Sequence, residues 1–172
     1  MTEILNTLLG VGTIVLQALS LVIIYTLITK RETPISLLIK KYALLASFNI
    51  ILLGMIASLV YSSVIGYEPC TLCWYARIAL YPQAILFGIA LWYKDTRVLI
   101  YTQALSIIGM IITGYHTFIV DFGGTSILPC SAEVSCATRY VFAFGYVTIP
   151  LMAFSSFLVL FLIGRLATKS ST

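Results

Sequence analysis

Apolar residues gather in five long runs, at approximately 5–29, 42–65, 75–93, 98–119 and 147–167, with short polar breaks between them. A helix needs about 20 apolar residues to cross a bilayer, so each run is long enough to span. Inside lipid, every backbone N–H and C=O must be satisfied within a helix or a closed barrel. Runs of this length favour helices. The predicted fold class is therefore all-α, a polytopic transmembrane helical bundle. The first run differs from a secretory signal, because only Thr2 and Glu3 lead into it and no basic n-region precedes it. No clear small-x-small cleavage site follows, so it reads as a retained helix.

Composition agrees with a membrane setting. The chain has 172 residues, 60% of them hydrophobic and 9% charged, with mean hydropathy +1.06. Soluble domains carry roughly a quarter charged residues. So few charges cannot cover a soluble surface, and membrane lipid is the expected solvent. The length predicts one domain over 1–172. The net charge of +4 does not indicate a nucleic-acid partner, because the basic residues lie in small groups between apolar runs.

Those groups predict topology. Lys30, Arg31, Lys40 and Lys41 follow the first run, Lys94 and Arg97 fill the turn between the third and fourth, and Arg165 and Lys169 follow the fifth. If all five runs span, these eight of the ten basic residues share one side. The positive-inside rule then puts the N-terminus outside, the C-terminus in the cytoplasm, and the chain in the cell membrane as a multi-pass protein. All four cysteines fall on the extracytoplasmic side. Cys70 and Cys73 precede the third helix, while Cys130 and Cys136 lie in a loop at roughly 120–146, broken by Gly123, Gly124 and Pro129.

Cysteines outside the cytoplasm tend to be oxidised, and four of them allow three connectivities. Locality favours Cys70–Cys73 and Cys130–Cys136. A Cys-x-x-Cys disulfide closes a very small ring and contributes little to stability. The spacing suits a redox couple instead, in which one thiolate attacks and its neighbour resolves. Cys73 is expected at or just before a helix N-terminus, where the backbone dipole stabilises a thiolate. Arg77 lies one turn further along the same face, placed to lower a nearby thiol pKa or to donate to a bound acceptor. Structural zinc sites usually pair cysteines two to four residues apart. The second pair has five intervening residues, so no metal is expected.

The stretch Glu68-Pro69-Cys70-Thr71-Leu72-Cys73-Trp74-Tyr75-Ala76-Arg77 resembles the DsbB family of membrane disulfide oxidases. Pro129-Cys130 to Cys136, followed by Phe144-Gly145-Tyr146-Val147-Thr148-Ile149-Pro150, is similar to the BdbC branch found in Gram-positive bacteria. The resemblance covers roughly 42–167 and implies a four-helix core, with the first helix as an extra one. It also implies a relay. A thioredoxin-like thiol oxidase outside the membrane would attack Cys130, Cys136 would attack Cys70, and Cys73 would deliver electrons to a quinone, ubiquinone or menaquinone, near Arg77 and His116. His116 resembles a family histidine near the quinone site, and a polar tip reaching the interface is its other role. Gln83 and Gln103 read as interhelical hydrogen-bonding residues, and Trp74, Tyr75, Trp92 and Tyr93 as interfacial anchors.

Two other classes remain open. An enzyme resembling vitamin K epoxide reductase would carry its quinone-side Cys-x-x-Cys after the loop pair, the reverse of the order here. A non-enzymatic membrane protein would use the disulfides only to stabilise loops.

Overall fold

The computed structural model describes residues 2–30, 33–123 and 135–168. They form a bundle of α-helices, with no strand among the described residues beyond a single bridge between Ala143 and Val147. Five helices are long and apolar enough to cross a membrane. In chain order the helices are α1 (Thr2–Thr29), α2 (Pro34–Lys41), α3 (Ala43–Leu59), α4 (Thr71–Tyr93), α5 (Val98–Phe122) and α6 (Ile149–Thr168). A π-helical turn, Val60–Val64, extends α3 towards the cysteines. Such turns recur near functional sites.

The short α2 is not visible in the hydropathy pattern, because its eight residues are too few and too mixed. Its start is nonetheless written locally. Thr33 caps it by accepting from the Ser36 N–H at 3.2 Å, Ser36 Oγ accepts from the Thr33 N–H at 3.0 Å, and Pro34 opens the first turn. Lys40 and Lys41 end it, in the last turn.

α6 is the central post. It packs against α1, α3 and α5, and α4 closes the bundle between α3 and α5. Without water in the bilayer core, helix association depends on close backbone approach and on hydrogen bonds. Both occur here. Gly109 on α5 admits the Phe157 ring of α6 so closely that a Cβ there would lie 2.5 Å from it. Gln83, fully buried on α4, accepts from the Ser106 hydroxyl of α5 at 3.2 Å. The main apolar core joins Ile23, Ile51, Phe87, Phe157 and Ile163. Many large apolar side chains face outward instead, among them Ile4, Leu8, Ile28, Ile78 and Ile111, as a lipid-facing surface requires. Trp74 and Tyr75 at one end of α4, and Trp92 and Tyr93 at the other, are all exposed.

Helix α1 is held to the rest by a stripe of small and polar residues. Asn6 accepts from the Tyr61 hydroxyl at 2.7 Å. Gly10 lies under Phe144, and Gln17 donates to Ser155 Oγ at 3.3 Å and accepts from the Tyr146 hydroxyl at 2.9 Å. Phe144 and Tyr146 belong to a tight turn closed by two hydrogen bonds between Ala143 and Val147, at 2.8 and 2.9 Å. Phe144 itself has φ +54, a left-handed conformation that a bulky side chain rarely adopts.

Candidate redox site

The two cysteines of the Cys-x-x-Cys stretch sit at the start of α4. That helix begins at Thr71, earlier than its apolar run suggested, so Cys73 lies inside the first turn and Cys70 is the capping residue. Cys70 takes the extended conformation of an N-cap, and its sulfur accepts from the Cys73 N–H at 3.4 Å. Both are free thiols, with sulfurs 2.8 Å apart. The cap position changes where charge settles. The Cys73 thiol donates to Cys70, and His116 assists by hydrogen bond and charge; against the opposing effect of burial these lower the Cys70 pKa to about 4. The cap N–H, the Cys73 thiol and His116 thus all favour negative charge on Cys70, where the apolar run had pointed to Cys73.

His116 is buried on α5, and its Nε2 lies 3.7 Å from Cys70 Sγ and 3.1 Å from the carbonyl oxygen of Cys136. Cys136 is buried and disulfide-bonded, and it packs in one cluster with Cys70, Leu72 and Ile119. Cys130, and with it the expected Cys130–Cys136 pairing, lies outside the described residues. The segment after Cys136 is tied down by Arg139, whose Nε and Nη2 donate to the carbonyls of Val120 and Asp121 at 2.9 and 3.0 Å. These are end carbonyls of α5, which the helix itself cannot satisfy.

The two cysteines share one recess, and Cys73 also borders a second space. A small recess is lined by Cys70, Cys73, His116 and Cys136. A larger groove of about 330 Å³ is bounded by α1, α3, α4, α5 and α6, and Cys73 opens onto it together with Arg77 and His116. Arg77 is fixed there by Ser58, to whose Oγ and carbonyl oxygen its Nε and Nη2 donate, both at 3.0 Å. Its guanidinium also covers the Trp74 ring at 5.1 Å. Five N–H donors are available on a guanidinium, so three remain for a ligand. The rest of the groove is mostly apolar, with Leu9, Leu16, Ile50, Leu53, Leu80 and Phe157 among its walls.

Tyr61, Tyr67 and Tyr140 stack in series beside the groove, with centroid separations of 5.8 and 4.6 Å. Neither this stack nor Ser58 was singled out from the sequence. The residues are far apart in the chain, and no local motif joins them. Cys70, Cys73 and His116 also bring their ligand atoms within 4.8 Å of one another, the only such His/Cys/Asp/Glu group among the described residues. Two sulfurs and one imidazole leave a tetrahedral metal one protein ligand short of a structural site.

The profile of the family described as "Disulfide bond formation protein DsbB" matches residues 40–166. The chain belongs to the DsbB family. Among its relatives in that family is a Bacillus anthracis protein described as "Probable disulfide formation protein C 2". It is 36% identical over 126 residues, which are 73% of this chain and 90% of that protein. The "Disulfide bond formation protein C" of Bacillus subtilis is 39% identical over 118 residues, 68% of this chain and 86% of its own length. A "Probable disulfide formation protein" of Chlamydia caviae is 40% identical over 104 residues, 60% of this chain and 75% of that protein. No solved structure matches the chain significantly. The match to the DsbB profile starts at residue 40, so α1 lies outside it.

Proposed function

We propose that the protein is a membrane disulfide oxidase that reoxidises an extracytoplasmic thioredoxin-like dithiol protein and passes the electron pair to a quinone, ubiquinone or menaquinone. One observation carries this reading. Cys70 borders only the recess that it shares with Cys73 and Cys136, whereas Cys73 also opens onto the groove that holds Arg77.

The order of exchange follows from that difference. The partner's thiolate attacks Cys130, breaking a Cys130–Cys136 disulfide and releasing Cys136 as a thiolate. Cys136 attacks Cys70, breaking a Cys70–Cys73 disulfide, and Cys73 leaves as a thiolate on the groove side. Each step forms one S–S bond and breaks another, as exchange requires. The partner's second thiolate then attacks its bond to Cys130, leaving the partner oxidised, and the freed Cys130 thiolate attacks Cys136, restoring the loop disulfide and releasing Cys70 as a thiolate. His116 holds the Cys136 carbonyl and stabilises negative charge on Cys70.

The groove suits a quinone. Its volume falls in the range of small-molecule sites, about 300–1,000 Å³, and its polar groups are few beside its apolar walls. A bound quinone supplies a two-electron, two-proton sink. Arg77, preset by Ser58, offers its remaining N–H groups to an acceptor oxygen and balances charge on Cys73. The cysteine end of the bundle faces the outside, and the end bearing Lys40, Lys41, Lys94, Arg97 and Arg165 faces the cytoplasm.

Trapping tests the order. A partner lacking its second cysteine cannot release itself and is expected to accumulate as a mixed disulfide through Cys130. An adduct that needs Cys70 instead would overturn it. Oxidation of the reduced partner at an undiminished rate in quinone-free detergent would overturn the acceptor.

A further inference from the structure

The groove is lined by α3, α4, α5 and α6, which the family profile covers, and by α1, which it does not cover. Leu9, Gly12, Thr13 and Leu16 of α1 line the same groove as Cys73 and Arg77 of α4. α1 packs on α6, α3 packs on α4 and α6, and both α1 and α3 line the groove. The Tyr61 hydroxyl donates to Asn6 of α1. Gly12 has nothing within 4 Å of where its Cβ would stand, so helix packing does not demand a glycine there. The space it leaves belongs to the groove.

We propose that α1 completes the acceptor-binding site, and that the missing side chain at Gly12 provides the clearance for a lipid-soluble quinone. The inference rests on the reading of the groove as the quinone site. Leu9 and Leu16 supply apolar contact on this wall, and Gly12 sets the width between them. A Cβ at position 12 would meet nothing within 4 Å, and this lining position leaves room for a larger side chain to narrow the groove.

Equilibrium titration of menaquinone into purified full-length protein tests this, together with the amount of quinone that co-purifies. Gly12→Phe is expected to weaken binding at least tenfold and to strip most co-purified quinone. Val11→Phe, placed on the far side of α1 by the 100° per residue of a helix, is expected to bind within twofold of the wild type. Leu16→Ala removes apolar contact from the same wall and is expected to weaken binding about fivefold, so the inference remains testable if Gly12→Phe misfolds. Wild-type binding with unchanged affinity in Gly12→Phe, or in Leu16→Ala where the former does not fold, would overturn the role of α1 and leave the acceptor reading intact. No binding by the wild type would overturn both.

Discussion

The imidazole Nε2 of His116 stands 3.1 Å from the carbonyl oxygen of Cys136, a residue 20 positions later in the chain. This contact pins a loop cysteine to the wall of α5, where the same nitrogen also reaches Cys70 at 3.7 Å. His116→Phe keeps the bulk and removes the bond. Loss of one such bond costs about 1 kcal/mol, or roughly fivefold in exchange between Cys136 and Cys70. Stopped-flow measurement of that exchange is expected to show the slowing, with faster reduction of the Cys136 disulfide by a phosphine. An unchanged exchange rate would place His116 outside the relay.

Acid titration of the reduced pair reads the Cys70 thiolate directly. Its pKa is lowered to about 4, from an ordinary thiol value of about 8.5. A depressed acid stabilises the fold fully above its ordinary value. That contribution declines as pH falls and is gone below the folded value. Thiolate absorbance at 240 nm in a Cys130→Ala, Cys136→Ala background is therefore expected to persist through neutral pH and fall near pH 4. Cys73→Ala removes the principal hydrogen-bond donor and is expected to move the midpoint towards the ordinary range.

Arg77→Met keeps the stem of the side chain and deletes both bonds to Ser58 along with the charge. A hydrogen bond from a charged group is worth about 2 kcal/mol, roughly thirtyfold in affinity. Quinone affinity is expected to fall by about that factor, while exchange between Cys136 and Cys70 stays within twofold. A variant that loses exchange and keeps affinity would move Arg77 from the acceptor to the thiol chemistry.

Gly109→Ala tests the seam between α5 and α6, because the new Cβ would lie 2.5 Å from the Phe157 ring. Overpacking of this kind costs about 1–3 kcal/mol. A fall in Tm of roughly 5 °C is expected. Phe157→Leu in the same chain is expected to restore part of it. Gly114→Ala meets Phe154 at 3.4 Å, an ordinary contact, and is expected to leave Tm nearly unchanged.

Sidedness is checked by labelling single cysteines placed in a cysteine-free chain. Thr96→Cys, in the turn between α4 and α5, is expected to react with an impermeant maleimide only after the membrane is opened. Tyr146→Cys, at the other end, is expected to react in intact cells. The reverse pattern would invert the orientation.

The five long helices were legible because lipid demands unbroken apolar runs, and nothing else in this sequence produces them. The starting point of α4 was not. Thr71, Leu72 and Cys73 interrupt the apolar pattern, yet Cys70 caps the helix with a sulfur, an atom that capping preferences do not anticipate. Cys70, Cys73 and Arg77 were recognisable from spacing alone, since helix geometry sets their relation. The meeting of His116 with Cys136, the hold of Ser58 on Arg77 and the stacking of Tyr61, Tyr67 and Tyr140 depend on how separate helices pack. The groove wall formed by α1 was hidden for the same reason, and Gly12 there carries no local signal beyond being a glycine.

Asn6, Gly10 and Gln17, the residues that fasten α1, follow one another at intervals of four and seven, so they fall within about 40° on one side of the helix. This arrangement fixes an angular phase as well as a position. Adding one residue between Gly10 and Gln17 would turn one half of α1 by about 100° against the other. Either the Asn6 clasp or the Gln17 clasp would then face lipid. Insertions near Thr33, beyond the helix, leave that phase untouched. Length variation is therefore tolerated in the connection after α1 and forbidden within it, and this asymmetry separates a helix that is keyed into the bundle from one that merely tethers it.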